Sequence, residues 1–240
     1  MKSSYEDRGR HYLTRRIPVI VRVDGRAFHT LTRKANKPFD MNFISTMAQA
    51  ATCLARDMQG FKAGFIQSDE ASFLLMDDDT HTTEAWFDYN LQKVVSISAA
   101  VMSVNFNRLM SYHPEFCGGP VPAKNSPVFD ARAFNIPREE VANYFLWRAK
   151  DWNLNSVQML ARSRYSQNEL NGLGREDMLT KLEADGVRWN ELPAVVKNGS
   201  WLCLGGEGRD RGAILTNNVR PEYAEVDTFI KACITKPEEV

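Results

Sequence analysis

Phe61-Lys62-Ala63-Gly64-Phe65-Ile66-Gln67-Ser68-Asp69-Glu70-Ala71-Ser72-Phe73-Leu74-Leu75-Met76 reads as two buried strands meeting at a polar turn. Each arm is a short apolar run, and only Ser68-Asp69-Glu70 separates them, so the stretch predicts a hairpin with carboxylates at its tip. Upstream, Ile17-Pro18-Val19-Ile20-Val21-Arg22-Val23 is a third such run, stopping at the turn signal Asp24-Gly25. If that strand pairs beside the hairpin, Asp24 and Asp69 come within reach of one point in space. Carboxylates gathered at strand ends, with a glycine permitting close backbone approach, suit Mg²⁺ and the phosphates it carries. The pattern points to metal-dependent phosphoryl or nucleotidyl transfer. Asp-Gly and Asp-Glu are also ordinary solvated turn residues, so the chemistry depends on the two turns being neighbours. Successive strand residues face opposite sides of a sheet, which makes Asp69 the expected ligand and Glu70 an alternate or supporting carboxylate.

Outward from the hairpin, the pattern predicts a strand over 17–24, a basic loop over 30–40 and a helix over 42–59. Asp40 or Asn42 is the expected N-cap and Gly60 the stop. After the hairpin come an acidic loop, a helix over 83–110, a Pro- and Gly-rich loop over 114–127 and a strand over 128–134. The order β-α-β-β-α-β is that of a split βαβ, ferredoxin-like antiparallel sheet with helices on one face, an α+β (α/β) fold. Beyond Pro137 the chain turns helical to about Ser166, carrying Arg148, Lys150, Arg162 and Arg164, with Trp147 and Trp152 expected in the core. Shorter helices near 168–172 and 175–185 precede a small hairpin, 194–204 with 212–216. Its connection, 205–211, is glycine-rich but lacks the following helix and the Lys-Ser/Thr of a phosphate-binding P-loop, so it reads as a hairpin turn. Two regions are expected: a catalytic sheet domain over 1–136 and a helical C-terminal region with a β-hairpin over 137–240.

The 240 residues carry 30 basic and 30 acidic side chains, a formal net charge of zero. That argues against a protein that coats nucleic acid non-specifically, but leaves room for a local basic face. Cys53, Cys117, Cys203 and Cys233 are scattered without zinc-ligand spacing or a disulfide framework. The charged N-terminal stretch and the lack of a long apolar run predict a cytoplasmic protein with no membrane partner.

Arg22-Val23-Asp24-Gly25-Arg26-Ala27-Phe28-His29, Lys37-Pro38-Phe39-Asp40, Gln67-Ser68-Asp69-Glu70-Ala71-Ser72-Phe73 and Phe129-Asp130-Ala131-Arg132 together resemble the tRNA-His guanylyltransferase family, including its Thg1-like branch. The likeness runs over about residues 15–135, in order and spacing. It implies a polymerase-palm-like domain that adds nucleotides in the 3′–5′ direction. Two Mg²⁺ ions would be held by Asp24, the carbonyl of Gly25 and Asp69, with Asp24, Asp69 and Glu70 as the catalytic carboxylates. Backbone amides from Arg26 through Ala27 and Phe28 to His29 would cradle a nucleotide triphosphate, with Ser68 beside it. Lys37, in an element that departs from the family's pattern at Phe39, would help hold an activating ATP. Lys93 and Arg132 match basic positions near phosphates or the RNA end, although Lys93 on a helical pattern also reads as a solvated face.

The resemblance further implies ATP, GTP or other nucleotide triphosphates as substrates, tRNA as partner and a homotetramer. It departs at Asn153, where eukaryotic tRNA-His enzymes of the family carry histidine. That departure favours the Thg1-like branch and template-directed repair of 5′-truncated tRNAs over obligatory guanylylation of tRNA-His. Two other readings fit the sheet. A palm-fold nucleotide cyclase needs the same carboxylates but no RNA, and the chain lacks the Gly-Gly-Asp/Glu-Glu-Phe hairpin of the dinucleotide version. A non-catalytic RNA-binding module would present aromatic residues on exposed strand faces.

Overall fold

The computed structural model describes residues 1–112, 126–205 and 212–235. The strands are β1 (Val19–Gly25), β2 (Phe61–Gln67), β3 (Glu70–Leu75), β4 (Phe129–Asn135), β5 (Ser200–Gly205) and β6 (Gly212–Thr216). They form one sheet in the order β4-β1-β3-β2-β5-β6, with every pairing antiparallel. The first four reproduce the expected ferredoxin-like arrangement, and the C-terminal hairpin extends it through β5 on β2, Phe65 facing Trp201. β1 is an interior strand: Val19, Ile20, Val21 and Val23 are wholly buried, and its branched side chains serve both faces. The β2–β3 hairpin closes through Ser68-Asp69, with Gln67 opposite Glu70. Ser68 takes φ 46°, the positive φ that lets a two-residue turn follow the twist of its strands.

Eight α-helices accompany the sheet among the described residues: α1 (Phe28–Leu31), α2 (Met41–Asp57), α3 (Leu91–Met110), α4 (Val141–Arg162), α5 (Gln167–Leu170), α6 (Arg175–Ala184), α7 (Ala194–Asn198) and α8 (Tyr223–Ile234). Asp40 caps α2 by accepting from the amides of Asn42 and Phe43, both at 3.0 Å. α2 and α3 bury Met47, Leu54, Met102 and Phe106 against the sheet face that carries Val19, Val21 and Val23. α4 and α8 cover the opposite face, around Ile20, Leu74, Trp152 and Trp201. The second half of α4 makes a satellite core with α5 and α6.

Three local expectations are corrected. The helix expected from 83 begins only at Leu91, because Phe87, Asp88 and Tyr89 all adopt positive φ. That segment is tied to the N-terminal arm, with Arg15 bonded to Asp88 at 3.0 Å and Leu13 donating to the Tyr89 carbonyl. Residues 194–198 form a helical turn rather than the start of a strand. Trp152 is in the core, but Trp147 is 55% exposed. Cys117 and the glycine-rich connection at 206–211 lie outside the described residues.

Candidate active site

The site grows from the C-terminal end of β1. Asp24 stands opposite Glu70 on β3 and Asp130 on β4, so the three carboxylates share one sheet face with Arg22 and Arg132. Beyond Asp24 the chain turns sharply. Gly25 donates its amide to the Asp69 carbonyl at 3.0 Å, locking the end of β1 to the hairpin tip, and Arg26 donates to the Val128 carbonyl at 2.9 Å. Gly25 is needed because Phe28 folds back over it: a Cβ there would lie 2.5 Å from the Phe28 ring. Phe28 in turn is buried against Phe43, Phe106 and Phe129, with ring centroids 4.9 to 6.1 Å away.

This turn and the hairpin tip enclose a concavity of about 370 Å³ lined by Gly25, Ala27, Phe28, His29, Thr32, Ser68 and Asp69. Two of its lining residues, Ala27 at φ 55° and Ser68 at φ 46°, hold left-handed backbone that non-glycine residues rarely adopt. The amides of Ala27, Phe28 and His29 have no backbone acceptor among the described residues, whereas that of Arg26 is spent on Val128. The expected four-amide cradle is therefore three free donors, a small nest of positive partial charge.

Burial pushes the Asp69 carboxyl above the ordinary aspartate range; the Ser68 hydroxyl at 3.0 Å and a backbone hydrogen bond oppose this, and the charges of Asp24 and Glu70 add to it. The end of β1 that carries Asp24 is thus tied to the hairpin tip that carries Asp69. Glu70 differs. Both of its oxygens accept from Arg148 at 2.7 Å, and Arg22 approaches one of them at 2.5 Å. No group of three or more His, Cys, Asp or Glu side chains among the described residues is arranged to hold a metal. Two carboxylates and a carbonyl do fit Mg²⁺, which characteristically takes one or two protein carboxylates and fills its remaining positions with water and substrate phosphate.

The basic positions separate. Arg132 lies 3.9 Å from Asp24 and 3.1 Å from Asp130. Lys37 is exposed and donates at 3.2 Å to the carbonyl of Thr32, a pocket residue. Lys93 is not brought here. The site end of α3 is marked by the Ser103 hydroxyl bonded to Phe129, and Lys93 lies ten residues back along the helix, about 15 Å away, beside Phe87. His29 is exposed.

The family model for tRNAHis guanylyltransferase matches residues 1–137. The chain belongs to the tRNAHis guanylyltransferase family. Its members are nucleotidyltransferases, and membership sets aside the non-catalytic reading of the sheet. A bacterial tRNA(His) guanylyltransferase-like protein solved in complex with ATP superimposes with a TM-score of 0.86 at 34% identity, covering 97% of this chain and 96% of that one. A second, in complex with GTP, gives 0.80 at 31% identity, with 97% of each chain covered. The tRNA(His) guanylyltransferase of Debaryomyces hansenii is 28% identical over 77% of this chain and 72% of its own.

Asn153 is a structural joint in this chain: its side chain accepts from Arg175 at 2.7 Å and donates to the Lys197 carbonyl at 3.2 Å. Sequence reading missed the clamp on Glu70. The only signals for it were an arginine interrupting the apolar run of β1, at Arg22, and an arginine on α4 that proves to be 6% exposed, Arg148. No helix among the described residues is long and apolar enough to cross a membrane.

Proposed function

We propose that this chain is a Mg²⁺-dependent 3′–5′ nucleotidyltransferase that extends the 5′ end of tRNA, acting mainly in template-directed repair of 5′-truncated tRNAs and able to guanylylate tRNA-His. The observation that carries the reading is the junction of Asp24 and Asp69 beside the free amides of Ala27, Phe28 and His29. Asp24, the Gly25 carbonyl and Asp69 would hold two Mg²⁺ ions, which when bound neutralise phosphate charge and make an attacking hydroxyl more acidic. The three amides bind the triphosphate, Ser68 flanks it, and Lys37 and Arg132 supply positive charge on either side. Glu70, fixed by two arginines, positions the hairpin tip rather than contacting substrate.

Two displacements complete the reaction. A 5′-phosphate oxygen of the RNA attacks the α-phosphorus of ATP, and pyrophosphate leaves. The 3′-hydroxyl of an incoming nucleotide triphosphate then attacks the activated 5′ phosphorus, and AMP leaves. Asn153 in place of the family's histidine supports the repair branch. Residues 1–136 act as the palm-like catalytic unit and 137–240 as its helical complement, in a cytoplasmic homotetramer. The test is a gel assay with a 5′-monophosphorylated tRNA lacking its first nucleotide, given ATP, all four nucleotide triphosphates and Mg²⁺, with tRNA-His lacking its extra guanosine in parallel. Restoration of the templated base supports the reading; extension of neither RNA by folded protein overturns it in favour of a cyclase.

A further inference from the structure

Trp147 is 55% exposed on α4, yet its ring is firmly held. The Arg148 guanidinium lies 4.5 Å from the ring centroid, and Tyr144 meets it nearly edge-on at 5.9 Å. Both supports are themselves fixed. Arg148 is buried in its bidentate bond to Glu70, and the Tyr144 hydroxyl bonds to Ser72 at 2.9 Å. From Glu70 the chain of contacts continues to Arg22, at 2.5 Å, and from Arg22 to Asp24, at 3.8 Å. Tyr144 also touches Phe134 of β4, on the sheet face shared with Arg132 and Asp24. Trp147 is thus joined through Arg148 and Glu70 to the carboxylate-bearing sheet face, with a guanidinium against its ring and more than half of the residue exposed.

An exposed tryptophan with no freedom to collapse onto its own surface, next to arginines and a phosphoryl-transfer site, is suited to stacking a nucleobase. The cation on one side leaves the opposite π-face as the platform, and stacking tolerates any base because every base has such a face. We propose that Trp147 stacks a nucleobase of the reacting nucleic acid or nucleotide, fixing its sugar–phosphate toward Asp24 and Arg132. The proposal rests on the transferase reading given above. The base comes either from the RNA end or from the incoming mononucleotide.

The test compares wild type with Trp147→Ala and Trp147→Phe. A fluorescein-labelled, 5′-monophosphorylated acceptor-stem RNA is titrated by anisotropy, and ATP and GTP by calorimetry, all with Mg²⁺. Loss of one stacked base weakens binding by roughly five-fold or more in the alanine variant, while phenylalanine keeps most of the affinity. A loss confined to the RNA assigns the base to the RNA end; a loss confined to the triphosphates assigns it to the incoming nucleotide; either supports the platform. Unchanged affinity for both probes in the alanine variant overturns it, as does a phenylalanine variant as impaired as alanine. A change of oligomeric state on sizing of the alanine variant also overturns it, placing the ring between copies of the chain. A wild-type protein that binds neither probe overturns the transferase reading, and this one with it, before any variant is compared.

Discussion

Glu70 and Arg148, 78 residues apart in sequence, meet as a bidentate pair with both hydrogen bonds at 2.7 Å. Both side chains are buried, and they join the hairpin tip of the sheet to α4. The pair commits one of the two adjacent carboxylates at the tip to structure and leaves Asp69 free for chemistry. Arg148→Ala strips a buried carboxylate of its main partner, leaving Arg22 and a long bond from Gln67 at 3.4 Å. Breaking such a pair costs about 3–5 kcal/mol, with the lower end expected here because Arg22 remains. Urea denaturation of the variant checks the value. Glu70→Gln is expected to lower stability more than it lowers affinity for Mg²⁺-nucleotide, whereas Asp24→Ala and Asp69→Ala abolish transfer and keep the fold. A glutamine variant of full stability that no longer binds nucleotide would make Glu70 a ligand.

Asp69 carries the opposite balance of stability and function. Its folded carboxyl titrates above the unfolded value, first because of burial and then because Asp24 and Glu70 are near. Ionisation of such a group destabilises the fold above the folded pKa, and the penalty vanishes below the unfolded one. Asp69→Asn, measured without Mg²⁺, is therefore expected to melt higher than wild type at pH 7. The advantage shrinks as pH falls through the carboxyl's raised pKa and is gone below the ordinary aspartate range. The same variant is expected to be inactive. A lower melting temperature at neutral pH would show that the hydrogen bonds to Asp69 outweigh its desolvation.

The hairpin and β1 were legible because their signals are local: apolar runs of strand length ending at turn residues. The convergence of Asp24 and Asp69 followed from antiparallel neighbourhood alone. The pairing of β5 with β2 was not legible, since the hydrophobic pattern of 200–205 says that it is a buried strand but not against which edge it lies. The start of α3 was misread because Phe87, Asp88 and Tyr89 look compatible with a helix, and only tertiary bonds to Arg15 and Leu13 hold them out of one. The Arg22–Glu70–Arg148 cluster depends on contacts across three elements, which no local window contains. Trp147 and Trp152 lie five residues apart on one helix with opposite fates, because the covered face of α4 includes the second and not the first.

Gly25 links the packing of the core to the shape of the pocket. The missing side chain lets Phe28 lie across the backbone, and Phe28 is 3% exposed among three other rings. Gly25→Ala would drive a methyl into that ring, at 2.5 Å. Forced repacking of this kind costs about 1–3 kcal/mol. Phe28 and its amide both move, so nucleotide affinity is expected to fall along with stability. Denaturation and ATP titration of the same preparation check both; loss of stability with unaltered ATP binding would separate the cradle from Phe28.

Cys203 and Cys233 meet where α8 packs on β5. Trp201 and Phe229 are in ring contact at 5.2 Å, and the cysteines lie two residues further along the strand and four along the helix, on the same facing sides. The neighbouring Cys233 thiol lowers the Cys203 pKa to about 7, against an opposing contribution from burial, while Cys233 itself is pushed up. Thiolate is the reactive form, so alkylation of Cys203 by iodoacetamide is expected to rise with pH through about 7 and then level off. Cys233→Ala removes the neighbouring thiol and moves the inflection back toward the ordinary cysteine value of about 8.5. Peptide mapping by mass spectrometry separates Cys203 from the other thiols. A wild-type inflection already at the ordinary value, unmoved by Cys233→Ala, would mean that the two sulfurs are not in contact in solution.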